Sequence, residues 1–594
     1  MDHFRKVDKA MIYPRALLLW LVVSAAAAMS AFCETSDEAL DLARKLVEAK
    51  RYDEALERYS QIESRLRSDA GLLIEWARVH TYADHHAEAI KLFEEVRRDF
   101  PEKAPEILRE LGDQYKWNGQ LQQAIDTYTE GLQKNAGDSK ARAGLAQALA
   151  WAKKHAQAIE EYNRILKDDP NSTEALTGKA DVFSWDDELE EAWSLYEQVL
   201  EREPENVNAQ NSLARILVWQ GYHRKGAARY RQILEGHPED PDALEGLAFA
   251  EHWQGREDLA LETAGKLLAA KPDRREAGKL FAEINAAQEP YVTAFSRYSS
   301  DSNHLDITTE GVRSGLHLDP SLSLELVYSW QKLYQRDQPT ILANRSGVGV
   351  SKIFSDSFEL NSFAYGVDYD EADLNCFTTN TWFTFKPSDI WRFDIGVDRE
   401  TFDDVGALLN RIVVDSVSGS VDCRPSRWWF FSAKYKKGNY SDENRQESVL
   451  AKMEYRLNHM PYVKLYYNLY YSDWHEQLNH GYFNPLEVSS HSVGVYSGVK
   501  ITDSLFAEAQ MSRGYESQRP TSKHPTYFGA AGLDWRLAEN WSVSLRGEYF
   551  EACRDSNSDG YVRTMGLLSI TYNFGAAHIE LEDGAQPARP SGGE

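Results

Sequence analysis

Two periods divide the chain. In residues 541–548 the apolar Trp541, Val543, Leu545 and Gly547 alternate with Ser542, Ser544, Arg546 and Glu548, the two-residue period of a β-strand. After a polar loop at 554–560 the pattern resumes, with Val562, Leu568, Ile570, Tyr572 and Phe574 set against Arg563, Ser569, Thr571 and Asn573. The same alternation recurs at 322–330, 391–398, 413–423, 429–435, 449–457, 463–471, 493–501, 505–512 and 527–537. It is less regular at 291–299, 305–318, 340–354, 357–370 and 374–386. These segments make about sixteen strands, an even number of the size expected for a closed membrane barrel. A secreted sandwich would also alternate, but with shorter segments and without so regular a rim of Trp, Tyr and Phe.

The connections point the same way. Three-residue turns such as Asp319-Pro320-Ser321, Ser355-Asp356-Ser357, Pro387-Ser388-Asp389, Pro425-Ser426-Arg427, Thr502-Asp503-Ser504 and Ala538-Glu539-Asn540 lie on one side. Longer polar loops are expected on the other, at 299–304, 402–411, 474–487, 516–525 and 554–560. Short periplasmic turns and longer outer loops are the barrel rule, which places both barrel ends on the periplasmic side.

Between about residues 36 and 289 the period becomes helical and a longer repeat of 34 appears: Pro170, Pro204, Pro238 and Pro272 are spaced by it. Trp117, Trp151, Trp185, Trp219 and Trp253 share the spacing. Each unit has a small residue in its first helix (Gly112, Ala146, Ala180, Ala214, Ala248) and another opening the second (Ala124, Ala158, Ala192, Gly226, Ala260). An aromatic follows four residues on, as in Phe93, Tyr128, Tyr162, Tyr196 and Tyr230. Small residues let paired helices approach, aromatics fill the groove, and proline stops the second helix. The repeated tryptophans are expected in the repeat core, because a residue present in every unit more often packs than binds.

Composition refines the picture. The 594 residues carry a formal net charge of -27 and a mean hydropathy of -0.56. Such a chain has no bundle of membrane helices, yet a barrel escapes a hydropathy plot because only alternate residues face lipid. The acidity excludes nucleic acid as a partner. One apolar run at 16–32 follows Arg5, Lys6, Lys9 and Arg15 and reads as a secretory signal peptide, with Met11 an alternative start and Ser30 or Cys33 the last residue removed. The expected organisation is a signal peptide at 1–33, helical repeats at 35–288, a barrel at 289–575 and a polar tail at 576–594.

Chemistry is sparse. Cys33, Cys376, Cys423 and Cys553 are scattered, so neither a metal site nor a disulfide framework is expected. His475-Glu476-x-x-x-His480 misses zinc spacing and reads as a surface loop. Asp555-Ser556-Asn557-Ser558-Asp559-Gly560 opens like a calcium loop, but Gly566 stands where a glutamate belongs. With no phosphate loop, nucleophile elbow or framed carboxylate pair, neither an enzyme nor a cofactor is expected. The remaining candidates are residues in the polar phase of the strands, which a lipid-facing apolar phase sends into the barrel. They are Arg392, Asp394, Asp398, Glu400, Lys434, Lys436, Lys452, Glu454, Arg456, Lys464, Tyr466, Tyr470, Tyr496, Glu508, Asp534, Arg536, Arg546 and Glu548, with Trp428 and Phe430. Either these charges pair across strands and fill the barrel, or they line a wet pore that a hydrophilic chain slides through. A field of the inward carboxylates would suit a cationic amino-sugar polymer, and the basic residues beside them weigh against it.

The helical stretch resembles the tetratricopeptide repeat through Leu111-Gly112-x-x-Tyr115, Ala89-x-x-x-Phe93 and the closing prolines. About seven repeats and a capping helix at 275–287 fit it. Signal, repeats and C-terminal barrel together resemble the exopolysaccharide export proteins of the Gram-negative outer membrane. These are the poly-N-acetylglucosamine export porin and the outer-membrane subunit of cellulose synthase; YaiO-like barrels are also similar. The resemblance implies periplasmic repeats that recruit a protein partner or polymer-modifying enzymes, and a lipid-embedded barrel that conducts exopolysaccharide. Two other readings stand beside it, a translocator barrel for surface lipoproteins and a scaffold whose barrel is only an anchor.

Overall fold

The computed structural model describes residues 36–458, 462–519, 523–552 and 561–574. The signal segment, Cys33, Cys553, the calcium-like segment and the polar tail lie outside the described residues. Helices fill the chain from Ser36 to Ala287, and a closed sixteen-stranded antiparallel barrel follows. The chain forms two compact units, Met1–Ala209 and Gln210–Glu594.

Helix starts follow a 34-residue rhythm of capping side chains. Asp138 accepts from the Ala141 N–H (2.9 Å), Ser172 from Ala175 (3.3 Å), Asn206 from Ala209 (3.0 Å) and Asp240 from Ala243 (2.7 Å). Each cap satisfies an orphan donor and is worth about 1 kcal/mol. Within the first unit Phe93, Tyr128, Tyr162 and Tyr196 are buried among the small residues of neighbouring helices. The Tyr128 ring lies against Gly112 and Gly144, and the Tyr162 ring against Gly178, so closely that a Cβ at any of the three would collide with it. Tyr230 and Gly246 repeat the arrangement in the second unit.

The tryptophans are not the core. Trp185, Trp219 and Trp253 are 37%, 38% and 46% exposed, and Trp117 and Trp151 are only partly buried. Each is the last residue of its helix, beyond the groove that the tyrosines fill. There they stack along the surface: Trp117 meets Trp151 edge to face at 5.3 Å, Trp185 meets His155 at 6.2 Å, and Trp253 meets His223 at 5.6 Å. The Lys116 ammonium lies over the Trp117 ring at 4.9 Å, and Arg215 over Trp219 at 5.3 Å.

The barrel strands are β1 (Tyr291–Asp301), β2 (Leu305–Asp319), β3 (Leu322–Gln335), β4 (Ile341–Ser355), β5 (Phe358–Tyr369), β6 (Leu374–Phe385), β7 (Trp391–Thr401) and β8 (Val413–Cys423). They continue with β9 (Trp429–Tyr440), β10 (Arg445–Asn458), β11 (Tyr462–Trp474), β12 (Glu487–Thr502), β13 (Leu505–Arg519), β14 (Lys523–Arg536), β15 (Trp541–Ala552) and β16 (Tyr561–Asn573). Each pairs with its sequence neighbour, and β1 pairs with β16 from Tyr291↔Asn573 to Asp301↔Arg563, leaving no free edge. The outer face is apolar at residues such as Leu326, Phe383, Ile395, Val493 and Leu545. Near the short turns it carries stacked rings: Phe358 on Phe385 (4.9 Å), Trp429 on Phe431 (5.8 Å) and Trp541 against Tyr572 (4.9 Å). An outward apolar band with an aromatic girdle is what a lipid-embedded barrel requires.

At the other end the expected loops shrink. Strand β1 runs to Asp301, β13 to Arg519, and β14 starts at Lys523, so half of the segment expected as a loop at 299–304, and the described part of 516–525, are strand. Beyond the apolar band both faces of a strand meet polar surroundings, and the alternation that marks it in sequence fades.

In the second unit the helices hold the short turns directly. Asp389 accepts from the backbone N–H groups of Arg224 (2.8 Å) and Lys225 (3.3 Å). A barrel turn thus caps helix His223–Gly236, which has no side-chain cap of its own. The Arg256 guanidinium bridges Asp258 and Asp356, Arg224 reaches Ser357, and the Tyr222 hydroxyl donates to the Pro425 carbonyl at 3.0 Å.

Candidate conduction pathway

The even-numbered residues of β7 to β15 face the barrel interior, and they bring the residues singled out in sequence onto one surface. On β7, Arg392 pairs with Asp394 (3.0 Å), which also accepts from Thr384 (2.5 Å) and Ser420 (3.1 Å). Asp398 accepts from Asn380 (2.8 Å), and Glu400 pairs with Lys436 (3.1 Å) on β9, where Lys434 and Phe430 share the same face. On β10 and β11, Glu454 sits between Lys452 (2.5 Å) and Lys464 (3.1 Å), and Arg456 donates to the Tyr462 hydroxyl (2.9 Å). The Lys464 ammonium lies over the Tyr462 ring at 5.0 Å and the Tyr496 ring at 5.7 Å. Further round, Arg546 bridges Glu508 and Asp534, while Tyr496 donates to Glu508 (2.8 Å) and Ser544 to Asp534 (2.6 Å). Arg536 and Glu548 lie in the same phase of β14 and β15.

Most of these charges are therefore neutralised by a neighbour. Half-exposed pairs of this kind contribute little stability each. Their consequence is a hydrophilic wall without a strong net field.

A second wall escapes the sequence pattern. The odd-numbered residues of β1 to β5 face inward and include Phe295, Arg297, Arg313, Val327, Arg345, Phe363 and Tyr365. Apolar residues on this inner face blur the alternation, although Arg297, Arg313 and Arg345 stand in the phase opposite the outward Tyr298, Val312 and Val348 of their own strands, which marks them as inward. Here, and on the far wall, rings pack closely against glycines of the adjacent strand. Tyr291 covers Gly315, Phe295 covers Gly311, Phe363 covers Gly349, Tyr365 covers Gly347 and Tyr466 covers Gly494; a Cβ at any of these glycines would collide with the ring. Tyr466 is held further by a hydrogen bond from Gln510 (2.9 Å), and Tyr470 lines the interior above it.

The mouth at the long-loop end is filled by two loops expected to be polar and exposed. Residues 402–412 contain a short helix, Val405–Leu409, that Asp404 caps by accepting from Gly406 (3.0 Å) and Ala407 (3.4 Å). Val405, Ala407 and Leu408 are 0% exposed. Val405 and Leu408 pack on the inward residues Leu305, Ile307, Leu333, Ile341, Val367 and Leu374, and Ala407 on Tyr440, Trp474 and Tyr482. The second loop, 475–486, lies against the first: Phe402 stacks on Tyr482 at 5.0 Å, Tyr482 on Tyr440 at 5.4 Å, and Asn410 donates to the His480 carbonyl at 3.1 Å. Backbones touch where Gly406 meets Gly481, which has φ +86°. His480, from the zinc-like stretch, meets Asp442 at 2.9 Å, and the Tyr482 hydroxyl donates to the same carboxylate at 2.8 Å. Burial opposes ionisation of Asp442, but the hydrogen bonds from His480, Tyr482 and the Asn444 N–H hold its carboxyl below the usual range.

Comparison with known proteins agrees with this architecture. Residues 118–182 and 217–275 match the tetratricopeptide repeat, and residues 421–579 match the family described as putative beta-barrel porin-2, OmpL-like. The chain thus carries tetratricopeptide repeats and a porin-like barrel of the outer-membrane kind. No curated protein matches its sequence. Among solved structures it is similar to a bacterial polysaccharide outer membrane secretin, at 13% identity over 48% of this chain and 99% of that one, with a TM-score of 0.41. It is also similar to a tetratricopeptide repeat protein from Parabacteroides merdae, at 20% identity over 37% of this chain and 86% of that one, with a TM-score of 0.33.

Proposed function

We propose that the protein is an outer-membrane export porin that conducts a secreted polysaccharide, with its repeats in the periplasm recruiting the polymer or the enzymes that modify it. The observation that carries this reading is the barrel's inner surface of paired charges interleaved with aromatic rings. A wide polar barrel holds water. Paired charges do not trap a hydrated chain, while ring faces offer sugars weak, repeated contacts. Conduction needs contacts of that kind, favourable enough for entry and too weak to hold the polymer. The short turns, which by the barrel rule face the periplasm, are held by the helices of the last repeats, so a polymer handled by the repeats would be delivered to the barrel's inner mouth.

Removing the protein from its native host tests the proposal. Polysaccharide should then accumulate in the periplasm and disappear from the cell surface. Loss of a surface protein with surface polysaccharide intact would favour a translocator. The helix filling the mouth supports a second reading, a sealed barrel that anchors a repeat scaffold. In that case neither cargo would change compartment.

A further inference from the structure

One part of the inner wall formed by β1 to β5 gathers arginines without an equal number of carboxylates among them. A cavity of about 460 Å³ opens on it, with Arg297, Arg313 and Arg345 among its lining and no carboxylate. Arg313 has a partner at its edge, Glu325 at 3.4 Å, which is shared with the Tyr291 hydroxyl at 3.0 Å. Among the described residues Arg345 has no carboxylate within 4 Å; its guanidinium lies 5.9 Å from the centre of the Tyr365 ring. Opposite these charges, Thr309 lines the same cavity at 5% exposure, and its hydroxyl has no hydrogen-bond partner. A buried polar atom without a partner costs stability unless a ligand or water completes it. Phe295 and Tyr365, packed against Gly311 and Gly347, also line the cavity.

We infer that this wall is a binding subsite for a carboxylated sugar residue, and hence that the exported polymer is an acidic polysaccharide of the uronate type; the inference rests on the export reading above. A guanidinium presents two parallel donors that match a carboxylate. The adjacent Tyr365 and Phe295 faces suit the apolar side of a pyranose ring, and the Thr309 hydroxyl supplies a contact for a ring hydroxyl. The protein already places one carboxylate at the border of the cluster: Asp403, at the root of the mouth-filling loop, lies 3.9 Å from Arg297 and accepts from Gln331 at 3.2 Å. An acidic polymer arriving at Arg297 competes with Asp403 for it, which couples occupancy of the subsite to release of that loop. Of the inward carboxylates that would favour a cationic polymer, Asp394, Glu508 and Asp534 are held by Arg392 and Arg546, while Asp398 accepts from Asn380 and Glu548 lies in the same phase.

Titration calorimetry on the full chain in detergent micelles tests this with three hexasaccharides: oligogalacturonate, cellohexaose and the glucosamine hexamer. Oligogalacturonate should bind best, and Arg313→Gln with Arg345→Gln should weaken it by about tenfold or more, leaving cellohexaose unchanged. Thr309→Val keeps every charge and should weaken binding of oligogalacturonate less. Heat-modifiable gel mobility confirms that each variant barrel is closed. Preference for cellohexaose or the glucosamine hexamer would overturn the acidic subsite while leaving polysaccharide export standing. Binding of oligogalacturonate that is indifferent to both arginines would also overturn the site. If none of the three binds, the subsite is overturned, and surface polysaccharide in the deletion host then decides the export reading separately.

Discussion

At the scale of single residues, the repeats are held by close approach between rings and small side chains. The Tyr162 ring is buried on Gly178, in the middle of helix Thr173–Trp185. Gly178→Val must displace that ring, and overpacking of this kind costs about 1 to 3 kcal/mol. A lowered urea midpoint of the helical signal at 222 nm is expected; an unchanged midpoint would show that the groove is loose. Gly236→Ala is the control, since nothing lies within 4 Å of a Cβ there, and it should be close to neutral. His80 makes a separate prediction. Burial, and then the charge of nearby His85, pull its pKa down from 6.5 to about 4. The unfolded chain therefore takes up the proton first as pH falls, and stability is lost between about pH 6.5 and 4 and is fully present above that window. The urea midpoint of the helical region should drop on acidification through this range, and His80→Phe should flatten the drop.

At the scale of elements, lipid makes one face of each strand legible and the other ambiguous. Leu545 and Arg546 are neighbours on β15, the first 51% exposed on the outer face and the second paired inside with Glu508 and Asp534. Leu545→Arg puts a charge into hydrocarbon and should cost about 2 to 4 kcal/mol near the midplane, read as loss of the heat-modifiable band. Arg546→Leu should assemble. Equal loss in both variants would reverse the face assignment. The same logic explains what the sequence concealed. Alternation located the barrel strands through their lipid-facing residues. It was weaker for the β1 to β5 lining, where Val327, Phe363 and Tyr365 place apolar groups inside as well. Periodicity placed the tryptophans at equivalent positions but could not say whether those positions were inside, since helix ends recur as faithfully as helix cores. The helix in the mouth did leave a trace, five apolar residues, Val-Gly-Ala-Leu-Leu, behind the capping Asp404, in a segment whose length alone had suggested an exposed loop.

At the scale of the whole molecule, the question is whether the mouth-filling loops control the barrel. Their apolar contacts hold the closed arrangement, and the two loops touch through backbone where Gly406 meets Gly481. Gly481 has φ +86°, a conformation that side-chain-bearing residues rarely adopt, and a Cβ there would strike the Gly406 backbone. Gly481→Val therefore penalises only the closed arrangement, and it lies outside the strands and the arginine cluster. A penalty of about 1 to 2 kcal/mol shifts the ratio of open to closed barrels about 5- to 30-fold. Full-length protein in planar bilayers should show small, infrequent currents, and the Gly481→Val variant should open correspondingly more often. Because Asp442 stays ionised below the usual carboxylate range, its hold on Tyr482 is present at neutral pH and is lost only as pH falls through that depressed value. The Asp442 carboxylate should accordingly contribute no change in current between pH 7 and about 5, which lies above the ordinary aspartate pKa of about 3.9, and Asp442→Asn should leave the pH profile over that range unaltered. Equal opening in the two proteins would mean that these loops do not gate the path. Absence of current in both would mean a sealed barrel, with the repeats as the working part and the strands as their anchor.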